Sequence, residues 1–142
     1  MNIRPSSILF LDVDGVINPH KGAHEEPVRQ LHRVIGESGC SIVLSSMWRL
    51  MGIRTAEDQI RRKFGYQGPG FFGATPDLKG APRGTEISAW IASQEFGPMP
   101  PWAVVDDYDD MPYVRHRFVR TQPRIGLDEV GADRLIELLK AW

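Results

Sequence analysis

An uninterrupted apolar run, Ile8-Leu9-Phe10-Leu11, leads directly into Asp12-Val13-Asp14-Gly15. Four successive apolar residues bounded by polar and turn-forming residues are typical of a strand that is buried on both faces of a sheet. Two further runs end in the same way, since residues 41–44 lead into Ser45-Ser46 and residues 102–105 lead into Asp106-Asp107. The sequence therefore predicts three interior strands, each followed by polar side chains.

The segments between these strands carry the spacing of helices, with apolar residues three and four positions apart. Four helices are predicted, marked in chain order by Val28 and Leu31, by residues from Thr55 to about Phe64, by Ile87 and Trp90, and by Leu135 and Leu139. Two further short strands are predicted at Phe71-Phe72 and at Phe118-Val119. This alternation predicts an α/β fold in three layers, in which a mostly parallel, five-stranded sheet has helices on both faces.

Length and charge limit the classes of function. A chain of 142 residues fits a single domain over residues 1–142. The 17 Lys and Arg and 18 Asp and Glu residues give a net charge of -1, which argues against tight nonspecific binding of nucleic acid. The single cysteine, Cys40, excludes an intrachain disulfide and fits a reducing compartment. Because no membrane span or signal peptide is predicted, we expect a cytoplasmic protein.

The polar strand ends predict a metal and phosphate site. In open α/β sheets, ligands bind beyond the carboxyl ends of the strands, where Asp12, Asp14, Ser45, Asp106 and Asp107 would converge. Carboxylates held close together repel one another and need a compensating cation. Mg²⁺ prefers oxygen ligands and typically combines one or two carboxylates with waters and substrate phosphate. We therefore expect a Mg²⁺ site that acts on a phosphorylated substrate.

The same residues resemble the motifs of the haloacid dehalogenase-like (HAD) superfamily. Residues 8–16 are similar to its motif I, Ser45 to motif II, and residues 104–107 to the acidic motif IV. More narrowly, the chain resembles the small HAD domain of bacterial multi-domain RNA-repair proteins; this likeness is carried by residues 44–49, by Arg83, Glu86, Ile87 and Trp90, and by residues 118–121 with Gly126-Leu127. The resemblance implies a Rossmann-like HAD fold.

The resemblance assigns chemistry to the aspartates. Asp12 would be the nucleophile that becomes an aspartyl phosphate, and Asp14 would be the general acid and then the general base. Asp12, the backbone carbonyl of Asp14 and Asp107 would hold Mg²⁺. Asp106 would be either a second ligand or a partner of the motif III cation. Asp110 is a weaker candidate for the outer shell of the metal.

The resemblance also assigns the residues that surround the phosphoryl group. Ser45 would bind a phosphoryl oxygen with help from the Ser46 amide, and Gly15 would allow the sharp turn after the nucleophile. Two residues are candidates for the basic motif III, Arg83 and Lys79, and Arg83 is favoured. The family commonly has lysine there, and the forked guanidinium of arginine is not its equivalent.

A loop over residues 15–26 would form a flap above the site. His20 and Lys21 in this loop are candidates for substrate contact, and a solvated loop is the alternative. His20 and His24 also have a zinc-like spacing, but no third ligand is near them. Arg49 is a candidate for a second phosphate, while Trp48 would either stack on a base or pack in the core.

The segments around motifs I and II leave no room for a cap domain, so we expect an open crevice that admits bulky substrates. The predicted activity is Mg²⁺-dependent removal of a terminal phosphate from a polynucleotide or nucleotide. A small-metabolite or protein phosphatase of the same fold is one alternative. A non-catalytic interaction module is the other, although a binding domain has no use for both a nucleophile and an acid two residues apart.

Overall fold

The computed structural model describes residues 4–140. Its sheet has five strands in the order β3-β2-β1-β4-β5, and every pair of neighbours is parallel. The strands are β1 (Ile8–Leu11), β2 (Ser41–Leu44), β3 (Gly73–Ala74), β4 (Trp102–Asp106) and β5 (Phe118–Arg120). The helices are α1 (Glu25–Ser38), α2 (Ile53–Phe64), α3 (Arg83–Ala92) and α4 (Glu129–Lys140), with 3-10 turns at Met47–Met51 and Arg115–Arg117.

The central strand β1 fixes where the site lies. Leu11 is in register with Leu44 on one side and with Val105 on the other. The next residues continue this register, because the Asp12 amide donates to the Val105 carbonyl and the Ser45 amide to the Leu11 carbonyl. The polar residues after β1, β2 and β4 therefore meet at one edge of the sheet, as the sequence predicts.

Alternating side chains of the buried strands build two apolar layers. Leu9 and Leu11 lie in the larger layer, which α1, α2 and α4 cover. Ile8 and Phe10 lie in the smaller layer with α3. The three-layer α/β architecture with helices on both faces is thus confirmed.

The structure differs from the sequence-based boundaries at three points. The third strand is Gly73–Ala74 and not Phe71-Phe72. The buried ring of Phe71 packs on Tyr66 at 5.4 Å, and its amide donates to the Glu57 carboxylate at 2.7 Å, so this residue is held in the core and away from the ladder. Helix α2 starts at Ile53, two residues before Thr55, because a 3-10 turn leads into it.

The third difference concerns the flap, since α1 begins at Glu25 and shortens the predicted loop of residues 15–26 by two residues.

Only a 3-10 turn, α2, β3 and loops lie between β2 and α3. No cap domain is therefore present within residues 4–140. None of the helices described in this range is long and apolar enough to cross a membrane.

Candidate active site

A polar cleft of about 240 Å³ opens at the carboxyl edge of the sheet. It receives side chains from the ends of β1 and β4, from the 3-10 turn after β2, and from the first residue of α3. The lining residues are Asp12, Asp14, Ser46, Met47, Arg83, Asp106, Asp107, Tyr108 and Asp110. The parallel register thus gathers residues that lie almost a hundred positions apart in the chain.

Three aspartates in this cleft form a group with the donors of a metal site. Asp12, Asp106 and Asp107 each place one carboxylate oxygen so that all three atoms lie within 4.8 Å of one another. Opposite ligands of a bound Mg²⁺ lie about 4 Å apart, so small side-chain rotations would bring these oxygens into its shell. The hard oxygen donors and their negative charge fit a divalent cation of this class.

The electrostatics of the aspartates favour a bound cation. Burial, followed by the negative charge of Asp106, raises the pKa of Asp12 to about 9. Burial, followed by a side-chain hydrogen bond with Asp107, raises the pKa of Asp106 to about 6, although the Tyr108 amide and Arg83 act in the opposite direction. Without a cation Asp12 is thus protonated at neutral pH, which would make it a poor nucleophile.

Gly15 is required by the position of Asp107. Its φ is +81°, which favours glycine, and a Cβ at this position would meet the Asp107 carboxylate. Any side chain here would therefore both strain the turn after β1 and displace a candidate metal ligand.

We predict that Gly15→Ala lowers the affinity for Mg²⁺ at least about tenfold, as measured by isothermal titration calorimetry. Gly39→Ala is the matched control. Gly39 also has a positive φ, +68°, but nothing lies within 4 Å of the position that a Cβ would take there, so this variant carries the backbone strain without the clash. Equal Mg²⁺ affinities in the two variants would contradict this role of Gly15.

Asp14 lies at the exposed wall of the cleft, on the turn that follows β1. Its two carboxylate oxygens accept hydrogen bonds from different segments: Asn18 Nδ2 donates to Oδ1 at 2.7 Å, and Trp48 Nε1 donates to Oδ2 at 3.0 Å. Asn18 closes the turn further, because its carbonyl accepts from the Gly15 amide at 2.9 Å. An exposed acid in this position can exchange a proton with a ligand in the cleft.

The structure distinguishes the two motif III candidates. Arg83 begins α3 and lines the cleft, where its Nε lies 4.0 Å from Asp106 Oδ2 and its Nη1 donates to the Ser45 carbonyl. Lys79 is exposed on the preceding loop and does not line this cleft. Arg83 reaches the site because Gly84 lets α3 approach the backbone of Met111 and Pro112 closely.

Both serines after β2 are buried. The Ser46 hydroxyl accepts from the Trp48 amide at 3.1 Å and so starts the 3-10 turn, while the residue itself lines the cleft. Ser45 does not line the cleft, but its hydroxyl is buried without a hydrogen-bond partner among the described residues. The hydroxyl therefore has unused hydrogen-bonding capacity directly after β2, at the carboxyl edge of the sheet.

Arg49 lies among protein partners that occupy its guanidinium. The sequence predicts contact with a second phosphate, but Arg49 is buried, and its guanidinium donates to the carbonyls of Ser46, Thr75 and Pro76 and pairs with Glu86 at 2.9 Å. These contacts occupy the guanidinium and tie the 3-10 turn to the loop before α3. These contacts give Arg49 a structural role, and its contact with a second phosphate stays a prediction.

We predict that Arg49→Met destabilises the protein by about 3 kcal/mol, at the lower end for a broken buried pair, because the Glu86 carboxylate loses its partner at 2.9 Å but keeps the Arg83 guanidinium at 3.6 Å and the Leu78 amide. Arg54→Met is the matched control, since Arg54 pairs with Glu57 but its side chain is 77% exposed. Arg54→Met is expected to lower the free energy of unfolding, measured in urea, by less than about 1 kcal/mol. An Arg49→Met protein that keeps its stability but has a raised KM for a phosphorylated substrate would instead support the predicted contact of Arg49 with a second phosphate.

The flap histidines do not take part in the cleft. His20 is exposed and its amide donates to the Pro123 carbonyl at 2.9 Å, so the flap packs on the turn after β5 rather than over the aspartates. The ring of His24 instead packs edge-on against Phe64. Neither histidine belongs to the group of potential metal ligands found in residues 4–140, so the zinc alternative is not supported.

Three residues that the sequence did not single out for the site contribute to it. Asn18 holds Asp14, while Met47 and Tyr108 lie at the cleft with 62% and 65% of their surface exposed. Tyr108 directly follows the acidic pair Asp106-Asp107, which is a signal that sequence inspection could have used. Met47 and Asn18 carry no such signal, because their roles depend on the path of the 3-10 turn and of the flap.

A comparison with protein families matches the chain to the family described as "HAD domain in Swiss Army Knife RNA repair proteins", over residues 8–132. This range contains every cleft residue described above. No curated protein and no solved structure matched the chain.

Proposed function

This chain belongs to the family of HAD domains of Swiss Army Knife RNA repair proteins, and from that premise we propose that it is a Mg²⁺-dependent phosphomonoesterase acting through Asp12. The observation that carries the proposal is the gathering of Asp12, Asp106 and Asp107 within 4.8 Å, with Asp14 and Arg83 lining the same cleft. A bound Mg²⁺ would neutralise the carboxylates and the phosphoryl oxygens that they approach.

In the first step an Asp12 carboxylate oxygen attacks phosphorus, and the bond from phosphorus to the leaving oxygen breaks. Asp14 gives its proton to that oxygen, so the alcohol leaves neutral and an aspartyl phosphate forms on Asp12. In the second step water attacks the same phosphorus while Asp14 takes its proton. The bond between phosphorus and Asp12 then breaks, which releases phosphate and restores the carboxylate.

Arg83 and Ser45 would orient the phosphoryl group during both steps. The Arg83 guanidinium offsets negative charge beside Asp106, at 4.0 Å, and is close enough to the Ser45 carbonyl to donate to it. The unpartnered Ser45 hydroxyl and the amide of Ser46 supply neutral donors for phosphoryl oxygens. Asp107 and the Asp14 carbonyl would complete the metal ligands with Asp12, and Asp106 serves as a further ligand or as the partner of Arg83.

We propose the terminal phosphate of a polynucleotide or nucleotide as the substrate. The description of the family as RNA repair domains supports this class. The cleft is open within residues 4–140, and the exposed side chains of Met47 and Tyr108 offer apolar surface beside it for a base or sugar.

The test is a substrate panel with and without EDTA. It compares oligonucleotides with 3′- or 5′-terminal phosphates, mononucleotides, sugar phosphates and p-nitrophenyl phosphate, with Asp12→Asn as the inactive control. We expect Mg²⁺-dependent release of phosphate with oligonucleotide or nucleotide ends preferred. A clear preference for sugar phosphates or phosphopeptides would select the other phosphatase classes. Absence of turnover together with absence of Mg²⁺ and beryllofluoride binding would select an interaction module.

A further inference from the structure

We propose that Trp48 is a positioning residue for Asp14, which it holds at the cleft through its indole N–H. The inference rests on the proposed function, in which Asp14 exchanges a proton with the leaving oxygen and then with water. Trp48 itself does not line the cleft, and it is not one of the three aspartates, Asp12, Asp106 and Asp107, that could hold a metal ion.

The contact itself is specific in its chemistry. Trp48 Nε1 lies 3.0 Å from Asp14 Oδ2, and an indole nitrogen can only donate. The other carboxylate oxygen is taken by Asn18, so one acid is held between the flap and the 3-10 turn. An exposed aspartate without such contacts would sample several rotamers and hydrogen-bond to water instead.

Trp48 can hold Asp14 because its own position is fixed. Its amide donates to the Ser46 hydroxyl, which sets the start of the 3-10 turn immediately after motif II. The Trp48 ring packs against the ring of Phe64 in α2, with 5.7 Å between the ring centres. Lys63, which is also in α2, places its Nζ 5.4 Å from the centre of the Trp48 ring. The path α2–Trp48–Asp14 thus connects the proton-transferring group to a regular helix, which is a more rigid support than the flap alone.

This arrangement has a consequence that depends on the leaving group. An alkoxide leaves poorly unless it is protonated in the transition state, so the position of Asp14 governs the first step for an alkyl phosphate. A p-nitrophenolate leaves without that proton, so the same step is insensitive to Asp14. Loss of the indole N–H is therefore expected to lower kcat/KM, which reports on the first step, for an alkyl phosphate more than for p-nitrophenyl phosphate.

The experiment compares Trp48→Phe with Trp90→Phe. Trp48→Phe keeps an aromatic ring against Phe64 but removes the donor, whereas Trp90 belongs to α3 and lies in the smaller apolar layer, on the other face of the sheet from α2. We expect Trp48→Phe to lower kcat/KM about tenfold for an alkyl phosphate and less than about twofold for p-nitrophenyl phosphate. Trp90→Phe is expected to change kcat/KM by the same factor for both substrates. Equal losses, or no loss, in Trp48→Phe would overturn the inference.

A second measurement reports the contact without catalysis. In ¹H–¹⁵N spectra of the full chain, Asp14→Asn is expected to shift the indole N–H resonance of Trp48 and to leave those of Trp90 and Trp102 in place. An unchanged Trp48 resonance would overturn the inference even in an active enzyme. A wild type that turns over neither substrate would instead overturn the proposed function, and the inference would fall with it.

Discussion

Replacement of Asp12 by asparagine is expected to reduce phosphatase turnover at least about 1,000-fold, because the amide cannot form the bond to phosphorus that starts the proposed reaction. The change is nearly isosteric and leaves the buried end of β1 filled. Loss of activity would therefore reflect the missing nucleophile and not a collapsed strand, and thermal unfolding of the same sample would verify this.

Asp109→Asn is the control for this prediction. Asp109 lies three residues beyond Asp106 in the same acidic segment, but it is exposed and pairs with Arg115 at 3.2 Å. Its turnover is expected to stay within about twofold of the wild type. Substantial turnover in Asp12→Asn, measured with p-nitrophenyl phosphate and with a phosphorylated oligonucleotide, would refute the mechanism.

Removal of the divalent cation is also expected to have a large effect on turnover. Chelation with EDTA should lower turnover at least about 100-fold, and added Mg²⁺ should restore it. The reason is that burial and the charge of Asp106 hold the pKa of Asp12 at about 9, so the metal-free nucleophile carries a proton at neutral pH. Turnover that is unaffected by EDTA would contradict the proposed role of the three aspartates.

The raised pKa of Asp12 also predicts that, without metal, the Asp12→Asn variant is more stable than the wild type. Since the pKa of Asp12 is raised to about 9 from its ordinary 3.8, the folded state binds more protons than the unfolded state between these values, and stability falls as the pH rises through that window. Asparagine carries no such penalty. Metal-free Asp12→Asn is therefore expected to unfold at a higher temperature than the wild type at pH 8, by on the order of 5 °C.

The advantage should shrink as the pH falls from 8, and it should vanish only well below 3.8, the ordinary pKa of the carboxyl, where Asp12 is protonated in both the folded and the unfolded states. Saturating Mg²⁺ should also reduce it, because the ion stabilises the wild type through the carboxylate that the variant lacks. Thermal unfolding at pH 5 and pH 8, with EDTA or Mg²⁺, measures all four conditions. A variant that is less stable than the wild type in every condition would contradict the raised pKa of Asp12, which burial and the charge of Asp106 are taken to cause.

The strands and the acidic edge could be predicted from the sequence because both depend on local patterns. Ile8–Leu11 is apolar throughout, as a strand covered on both faces must be, and Asp12 follows it immediately. Parallel pairing then brings Asp12, Ser45 and Asp106 to the same edge without further information. Of the two candidates for the basic motif III, the structure places Arg83 at the first residue of α3 and in the cleft, whereas Lys79 does not line the cleft, and the role of Arg83 stays a prediction.

The sequence does not predict the features that depend on long-range contacts. Arg49 follows motif II and carries a charge, but its guanidinium is taken by Glu86 and by carbonyls of a loop more than 25 positions away. The contact between Trp48 and Asp14 spans 34 positions and depends on the 3-10 turn. The strand at Gly73–Ala74 starts two residues after Phe71, whose ring packs on Tyr66 and whose amide donates to Glu57, a residue 14 positions away.

A crystal structure with Mg²⁺ and beryllofluoride tests the central claim most directly, because beryllofluoride mimics the phosphoryl group of an aspartyl phosphate. We expect beryllium bonded to an Asp12 carboxylate oxygen, Mg²⁺ coordinated by Asp12 and Asp107, and the Arg83 guanidinium and Ser45 hydroxyl directed at the fluorine atoms. Beryllofluoride bound elsewhere, or Mg²⁺ bound without contact to Asp12 and Asp107, would contradict the proposed chemistry.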